Sequence, residues 1–259
     1  MNLTKLEKTR WTGKEVCFYD ILDSTNIKAA GLAESYPHGT LVIANQQTLG
    51  KGRRGRSWSS EKDTGIYMSM LLKPDMEPSV ATGLTLVAAL AVASAIEKTT
   101  AARPYIKWPN DIVLNGKKIC GILTEMRLTS GKIEYIVLGI GINVNNTDFP
   151  EELQLIASSL LKETGIEIVR EELIEAIWLQ FEKYYDVYIE AGDFRLLKKE
   201  YEKYLVNKNQ QVRVLDPNGE YEGIATGITK TGELLVTTDQ GERRVCAGEV
   251  SVRGIYGYV

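Results

Sequence analysis

Residues 40–44 (TLVIA) and 66–72 (IYMSMLL) are short, nearly unbroken apolar runs, the second followed by Pro74. Runs of this length between polar punctuation read as strands buried on both faces. Residues 16–22 (VCFYDIL) read as a further strand. Asp23, Ser24, Thr25 and Asn26 then offer several candidate caps for a short helix through Ala33. Residues 83–96 (GLTLVAALAVASAI) are apolar on every side and small, which predicts a buried helix over about 80–98. That run is too short, and too rich in Ala, Ser and Thr, to cross a bilayer.

Strands are predicted at 105–108, 111–114, 118–128 and 134–144, with Asn115-Gly116 as a hairpin turn. From 170 to about 205 the spacing turns helical, carried by Leu173, Ile177, Leu179, Phe181, Tyr184 and Tyr188. Past Asn207 the chain breaks into short strands at 212–215, 222–228, 233–237, 243–246 and 250–255. Pro217-Asn218-Gly219, Thr231-Gly232 and Gln240-Gly241 separate them. Short strands at such intervals suggest a small barrel. The chain therefore divides into residues 1–206 and residues 207–259.

Composition narrows the function. The chain has 259 residues, 44% hydrophobic, enough for a substantial core. Its net charge is -3 and its pI is ≈ 5.5. Nucleic-acid binders usually carry a basic excess, so general affinity for DNA is not expected. The three cysteines (Cys17, Cys120, Cys246) are far apart and there is one histidine, His38, read as a surface turn residue. No zinc site or disulfide framework is indicated, and the odd count suits a reducing cytoplasm. The first fifteen residues lack an apolar run, so neither a signal peptide nor a membrane anchor is expected there.

Against the negative net charge, residues 50–58 read GKGRRGRSW, with Lys51, Arg53, Arg54 and Arg56 among Gly50, Gly52 and Gly55. The letters match GxGxxG and nearly match a P-loop. Both motifs need a helix directly after the glycines, and residues 56–65 (RSWSSEKDTG) lack helical periodicity. Two readings remain: a solvated surface loop, or an anion-binding loop whose glycines admit a ligand and whose arginines grip phosphate or carboxylate in forks. Two cations 4 Å apart repel by about 1 kcal/mol in water and about 4 at an effective dielectric of 20. Such a loop is expected to stand open alone and to settle on an anion.

The loop has company. Asp23-Ser24-Thr25-Asn26, Gln47, GKGRRGRSW, Lys107-Trp108-Pro109-Asn110-Asp111, Lys118-Ile119-Cys120-Gly121-Ile122-Leu123-Thr124-Glu125 and Gly139-Ile140-Gly141-Ile142-Asn143 come one after another in that order. This series resembles the biotin protein ligases, from about residue 16 to the end. The resemblance implies an α+β fold: a mixed sheet backed by helices, like that of class II aminoacyl-tRNA synthetases and lipoyl ligases, followed by an SH3-like barrel. It implies that biotin and MgATP react to biotinyl-5′-adenylate. Biotin then passes to one lysine of a biotin carboxyl carrier domain of a carboxylase. Biotin's carboxylate must approach a phosphate, so one anion meets another. The loop cations neutralise both and shield the developing charge, and a loop folded over the anhydride excludes water.

By position in the motifs, the resemblance assigns Ser24, Thr25, Asn26 and Gln47 to biotin's ureido ring, with helix capping as the plain alternative for the first three. Gly50, Lys51, Gly52, Arg53, Lys118, Gly121, Leu123, Gly139 and Gly141 complete the biotin side. Arg53, Arg54, Arg56, Trp58, Lys107, Asn110, Asp111, Lys118 and Asn143 form the ATP side, with Trp58 toward adenine. Arg53, Lys118 and Asp111 are the catalytic candidates. Asp111 either orients the acceptor lysine, helps to hold Mg²⁺, or is a turn residue. Lys118 is selected over Lys117 because KxxGxLxE then places Gly121, Leu123 and Glu125. Lys51 stands where the family commonly has arginine, keeping the charge without the fork.

Some family members are also repressors through an N-terminal helix-turn-helix domain. Too few residues precede the first strand here for one, so no operator binding is expected. A monomer and a homodimer are both left open. Two other readings stand beside this one: a lipoate or octanoate ligase or transferase of the same architecture, and a nucleic-acid-binding module built on the GRRGR loop.

Overall fold

The structure, a computed structural model, describes residues 1, 3–216, 219–248, 251–254 and 258–259. The two apolar runs become interior strands of one mixed sheet. Its members are β1 (Val16–Leu22), β2 (Thr40–Gln47), β3 (Ile66–Leu72), β4 (Tyr105–Lys107), β5 (Asp111–Leu114), β6 (Lys117–Thr129) and β7 (Lys132–Ile142). Their order is β1-β2-β3-β7-β6-β5-β4, with β1 and β2 parallel and every other neighbouring pair antiparallel.

Because successive strand residues face opposite ways, each face has its own cover. Leu41, Ile43, Met68 and Met70 face the main core. Val42 and Val137 face Ala29 of α1 (Thr25–Gly31) on the other side. The main core is closed by α3 (Leu84–Thr100), preceded by the short α2 (Pro78–Ala81), and by α5 (Arg170–Ala191). Small side chains all round let α3 lie close to both the sheet and α5. The run 78–100 is long and apolar enough to cross a membrane by composition, but most of it is buried inside this fold.

The helical region expected over 170–205 is interrupted. Gly192 ends α5 in the left-handed region (φ 68), and the chain re-enters a helix at α6 (Lys198–Tyr204). Leu179 is only half-buried, while Ile174 and Trp178 fill the core. A short α4 (Leu160–Thr164), capped by the Ser159 hydroxyl, had no periodicity long enough to announce it. The N-terminal segment is pinned to α5 by Glu182. That buried carboxylate accepts hydrogen bonds from the backbone N–H groups of Arg10, Trp11 and Thr12 and from the Thr12 hydroxyl. His38 is packed rather than free: it lies half-buried 4.6 Å from the Trp11 ring and accepts from the Lys73 backbone N–H.

The last part of the chain forms a five-stranded antiparallel sheet of SH3-like type, in the order β11-β10-β9-β8-β12. Its strands are β8 (Gln210–Leu215), β9 (Tyr221–Ile228), β10 (Leu234–Thr238), β11 (Gly241–Val245) and β12 (Ser251–Gly254). The ends of the strand expected at 250–255, and Pro217 and Asn218 of an expected turn, lie outside the described residues. The second sheet is tied to the first through Trp108. Its backbone N–H donates to Asn207 Oδ1 (3.0 Å) and its Nε1 to the Gly232 carbonyl (2.9 Å).

Candidate active site

Strand register assembles the site. One line of paired residues crosses the sheet from Ala44 through Tyr67, Gly141, Gly121 and Asp111 to Lys107. A second line runs from Val42 through Ser69 and Gly139 to Leu123. Paired residues share a face, and this is the face covered by α1.

Lys118 joins them because of a bulge. In a regular strand, residues three apart point to opposite faces. Here the β5–β6 register shifts so that Ile112 pairs with Cys120 and Val113 with Lys118, leaving Ile119 extra. The bulge returns Lys118 to the side of Gly121. Its ammonium lies 2.6 Å from Asp111 Oδ1 and 5.4 Å from the Trp58 ring.

The glycine–arginine segment folds back over this face. Lys51 and Ser57 pair antiparallel, the Gly52 N–H donates to the Arg56 carbonyl (2.7 Å), and the Trp58 N–H donates to the Gly50 carbonyl (2.8 Å). Trp58 lies on the cross-strand pair Gly121 and Gly141. A Cβ on either glycine would come within 2.9 and 2.7 Å of the ring, so only glycine leaves the indole its seat.

Two cavities flank Trp58. The first lies between α1 and the folded loop. Ser24, Thr25, Asn26, Gln47, Lys51, Gly52, Leu123 and Gly139 line it. Its polar wall is prearranged. Gln47 Oε1 accepts from the Thr25 backbone N–H and hydroxyl (2.8 and 3.0 Å), and Gln47 Nε2 donates to Ser60. The fully buried Ser69 hydroxyl stands 2.7 Å from the Thr25 hydroxyl and 2.6 Å from Asn26 Oδ1. Asn26 Nδ2 donates to Glu125 (2.7 Å), which fixes its amide orientation. Ser24 is the N-cap of α1 by position, yet its side chain makes no capping hydrogen bond.

The second cavity, ≈ 700 Å³, is cationic. Arg54, Arg56, Lys107 and Asp111 line it, together with Arg253 and Tyr258 from the end of the chain. Burial pushes the Lys107 ammonium down to about 8; Asp111 opposes this, while Lys118, Arg253 and Arg56 add to it. Burial raises the Asp111 carboxyl, but Lys118 and Lys107 outweigh that and hold it below the ordinary carboxylate range, helped by the Tyr258 hydroxyl. Burial likewise works against the Arg53 charge, Asp111 supports it, and Arg54 and Arg56 oppose it.

Gly52, Arg53, Trp58, Asn110 and Lys118 line both cavities and form the seam between them. Arg53 spans it, donating to Asn110 Oδ1 and to the Gly248 carbonyl, both at 2.7 Å.

Two of the residues singled out from sequence stand elsewhere. Gly50 lies behind the first cavity, where a Cβ would meet the Trp58 carbonyl at 2.4 Å. Asn143 lines neither cavity; its amide donates to the Ser158 carbonyl (3.0 Å) and anchors the end of β7. Asp111 is taken up by Lys118 and Tyr258, and no cluster of three potential metal ligands occurs among the described residues. A lone carboxylate inside a cationic cavity does not make a resident metal site. Sequence reading missed Ser69, Arg253 and Tyr258. Ser69 sits in an otherwise apolar strand, a signal that was there to read; the other two reach the site only through tertiary packing.

Two cavities that meet at a cationic seam, on a mixed sheet followed by an SH3-like sheet, define a site built to bring two ligands together. The Biotin/lipoate A/B protein ligase family profile matches residues 19–143, and the Biotin protein ligase C terminal domain profile matches 209–253. The bifunctional ligase/repressor BirA of Bacillus subtilis is 40% identical over 248 residues, 95% of this chain and 76% of that protein. The biotin--[acetyl-CoA-carboxylase] ligase of Paracoccus denitrificans is 29% identical, covering 90% of this chain and 98% of that one. The biotin protein ligase of Aquifex aeolicus, solved with biotin and ATP, superimposes with a TM-score of 0.82 at 31% identity, covering 93% and 99% of the two chains. The chain belongs to the biotin protein ligase family. The C-terminal match favours that reading over a lipoate ligase, and the loop's place over the cavities favours it over a nucleic-acid module.

Proposed function

We propose that this chain activates biotin with ATP and joins it to a protein lysine. The carrying observation is the seam: Arg53 and Lys118 belong to the walls of both cavities. The first cavity takes biotin, its ureido ring against Ser24, Thr25, Asn26 and Gln47 and its carboxylate toward Lys118. The second takes ATP. At the seam the carboxylate oxygen attacks the α-phosphorus and pyrophosphate leaves, with Arg53 and Lys118 offsetting the charge of the approaching anions. Trp58 and the folded loop exclude water from the anhydride. Mg²⁺ enters with ATP as part of the substrate, held by phosphate oxygens rather than by Asp111. The acceptor is a lysine of a biotin carboxyl carrier domain, residues 1–206 and 207–259 act as two domains, and the enzyme works in the cytoplasm.

The test is pyrophosphate release with ATP and Mg²⁺. Release should require biotin and fail with lipoate. Arg53→Ala and Lys118→Ala should slow it at least a hundredfold without unfolding the protein. Release driven by lipoate, or unaffected by both substitutions, would overturn this reading.

A further inference from the structure

Ser69 lies in the middle of β3, fully buried, and lines neither cavity. Its one proton has two acceptors in reach, Asn26 Oδ1 at 2.6 Å and the Thr25 hydroxyl oxygen at 2.7 Å. Asn26 decides between them. Its Nδ2 donates to Glu125 (2.7 Å) and to the Leu123 carbonyl (3.4 Å), so the atom facing Ser69 is an oxygen that only accepts. Ser69 therefore donates to Asn26, and its own oxygen faces Thr25 as an acceptor.

The Thr25 hydroxyl also has one proton and two acceptors, Gln47 Oε1 at 3.0 Å and Ser69 at 2.7 Å. Pointed at Gln47, it closes that oxygen, because Oε1 has two lone pairs and the Thr25 backbone N–H already takes one (2.8 Å). Gln47 cannot turn its amide to escape, since Nε2 would then meet the Thr25 N–H. Pointed at Ser69 instead, the proton bridges two oxygens that otherwise stand unbridged in the core. It also frees Thr25 Oγ1 and Gln47 Oε1 together for donors arriving from the cavity.

We propose, building on the function proposed above, that Ser69 is a positioning residue that sets this wall to accept N–H groups. As the ligand enters, the Thr25 proton turns from Gln47 to Ser69, and the two freed oxygens take ligand donors. The chemistry selected is a cyclic urea. A carbamate offers oxygen where the urea offers N–H, and a wall of fixed acceptors rejects it because neither side has a proton to give.

Calorimetry with biotin and with the two cyclic carbamates that replace one or the other ureido N–H by oxygen tests this. In wild type, the carbamate lacking the N–H that faces Thr25 and Gln47 should bind at least a hundredfold more weakly than biotin. In Ser69→Ala the Thr25 proton can point only at Gln47 or at the ligand. Biotin affinity should fall about tenfold, and the preference over that carbamate should shrink at least tenfold. ATP affinity should stay within twofold. KM for biotin should rise in step while kcat for pyrophosphate release stays within threefold, because Ser69 stands away from the seam. Ser69→Cys, whose sulfur is a poorer acceptor, should fall between wild type and Ser69→Ala. In a Thr25→Val background, adding Ser69→Ala should leave the preference within twofold, since no hydroxyl remains to turn. Equal weakening of biotin and both carbamates in Ser69→Ala would reduce Ser69 to a packing residue and overturn its positioning role. The same contraction appearing in the Thr25→Val background overturns it too. A wild type that binds no biotin is a different result, which overturns the function proposed above and this role with it.

Discussion

Lys107 is the side chain through which pH should act on the second cavity. It is 5% exposed, lies against the Tyr258 ring, with its ammonium 3.9 Å from the centroid, and shares its cavity with Arg56, Lys118 and Arg253. Burial brings it down from 10.5 to about 8. A bound phosphate favours the charged form, so nucleotide binding and protonation are linked. ATP affinity should therefore fall as pH rises through 8, approaching tenfold per unit, the limit for one linked proton. In Lys107→Met, binding should be weaker at pH 7 and nearly flat from 7 to 9.5, which calorimetry at several pH values reads directly. The same shift acts oppositely on the unliganded fold. Between 8 and 10.5 the unfolded chain holds the proton that the folded chain has lost, so this group's contribution to stability is least below 8 and improves across that window. A wild-type affinity that stays level from pH 7 to 9.5 would show that Lys107 does not face the phosphates.

Strands explain why the motifs are spaced as they are. Nearly every element was legible in the pattern, because continuous apolar runs and the Asn115-Gly116 turn are local signals. Register is not local. The sequence places Lys107, Asp111, Gly121 and Gly141 in three motifs, and only strand pairing sets them in one row. The bulge at Ile119 was equally hidden, since a Lys118–Gly121 spacing of three argues against a shared face until the register shift is seen. The glycines were legible as close-approach positions, but not what approaches. Gly139 is the clearest case: its backbone is not in the left-handed region, yet a Cβ there would lie 2.1 Å from Asn26 Oδ1. Gly139→Ala should push Asn26 off its bonds to Ser69 and Glu125. Calorimetry should show biotin affinity down at least a hundredfold and ATP affinity within about threefold, with the far-ultraviolet circular dichroism of the sheet retained. Unimpaired biotin binding would mean that α1 moves aside and that Asn26 is not a contact.

At the scale of the whole molecule, the second sheet contributes to the site as well as following it. Arg253 and Tyr258 line the second cavity, and Gly248 holds Arg53. None of this was visible in a sequence that read the C-terminal strands as a barrel beside the catalytic domain, because side chains from the two ends of the chain meet only after packing. One of the links that set their relative position is Asn207, 2% exposed, whose side-chain oxygen accepts the Trp108 N–H. Removing that acceptor leaves a buried donor unpaired, at a cost of about 1–3 kcal/mol. Asn207→Ala should lower Tm by several degrees, on the scale of ~2–4 °C per kcal/mol for a chain of this size. The more telling readout is which ligand notices. Trp108 directly precedes Pro109, Asn110 and Asp111, on the wall of the second cavity, whereas the first is built mainly from α1, β2, β6 and β7. ATP affinity should fall five- to tenfold while biotin affinity stays within twofold. Equal losses for both ligands would reduce the second sheet to a source of global stability. A loss confined to ATP would make it a wall of the nucleotide site, held in place in part through Asn207.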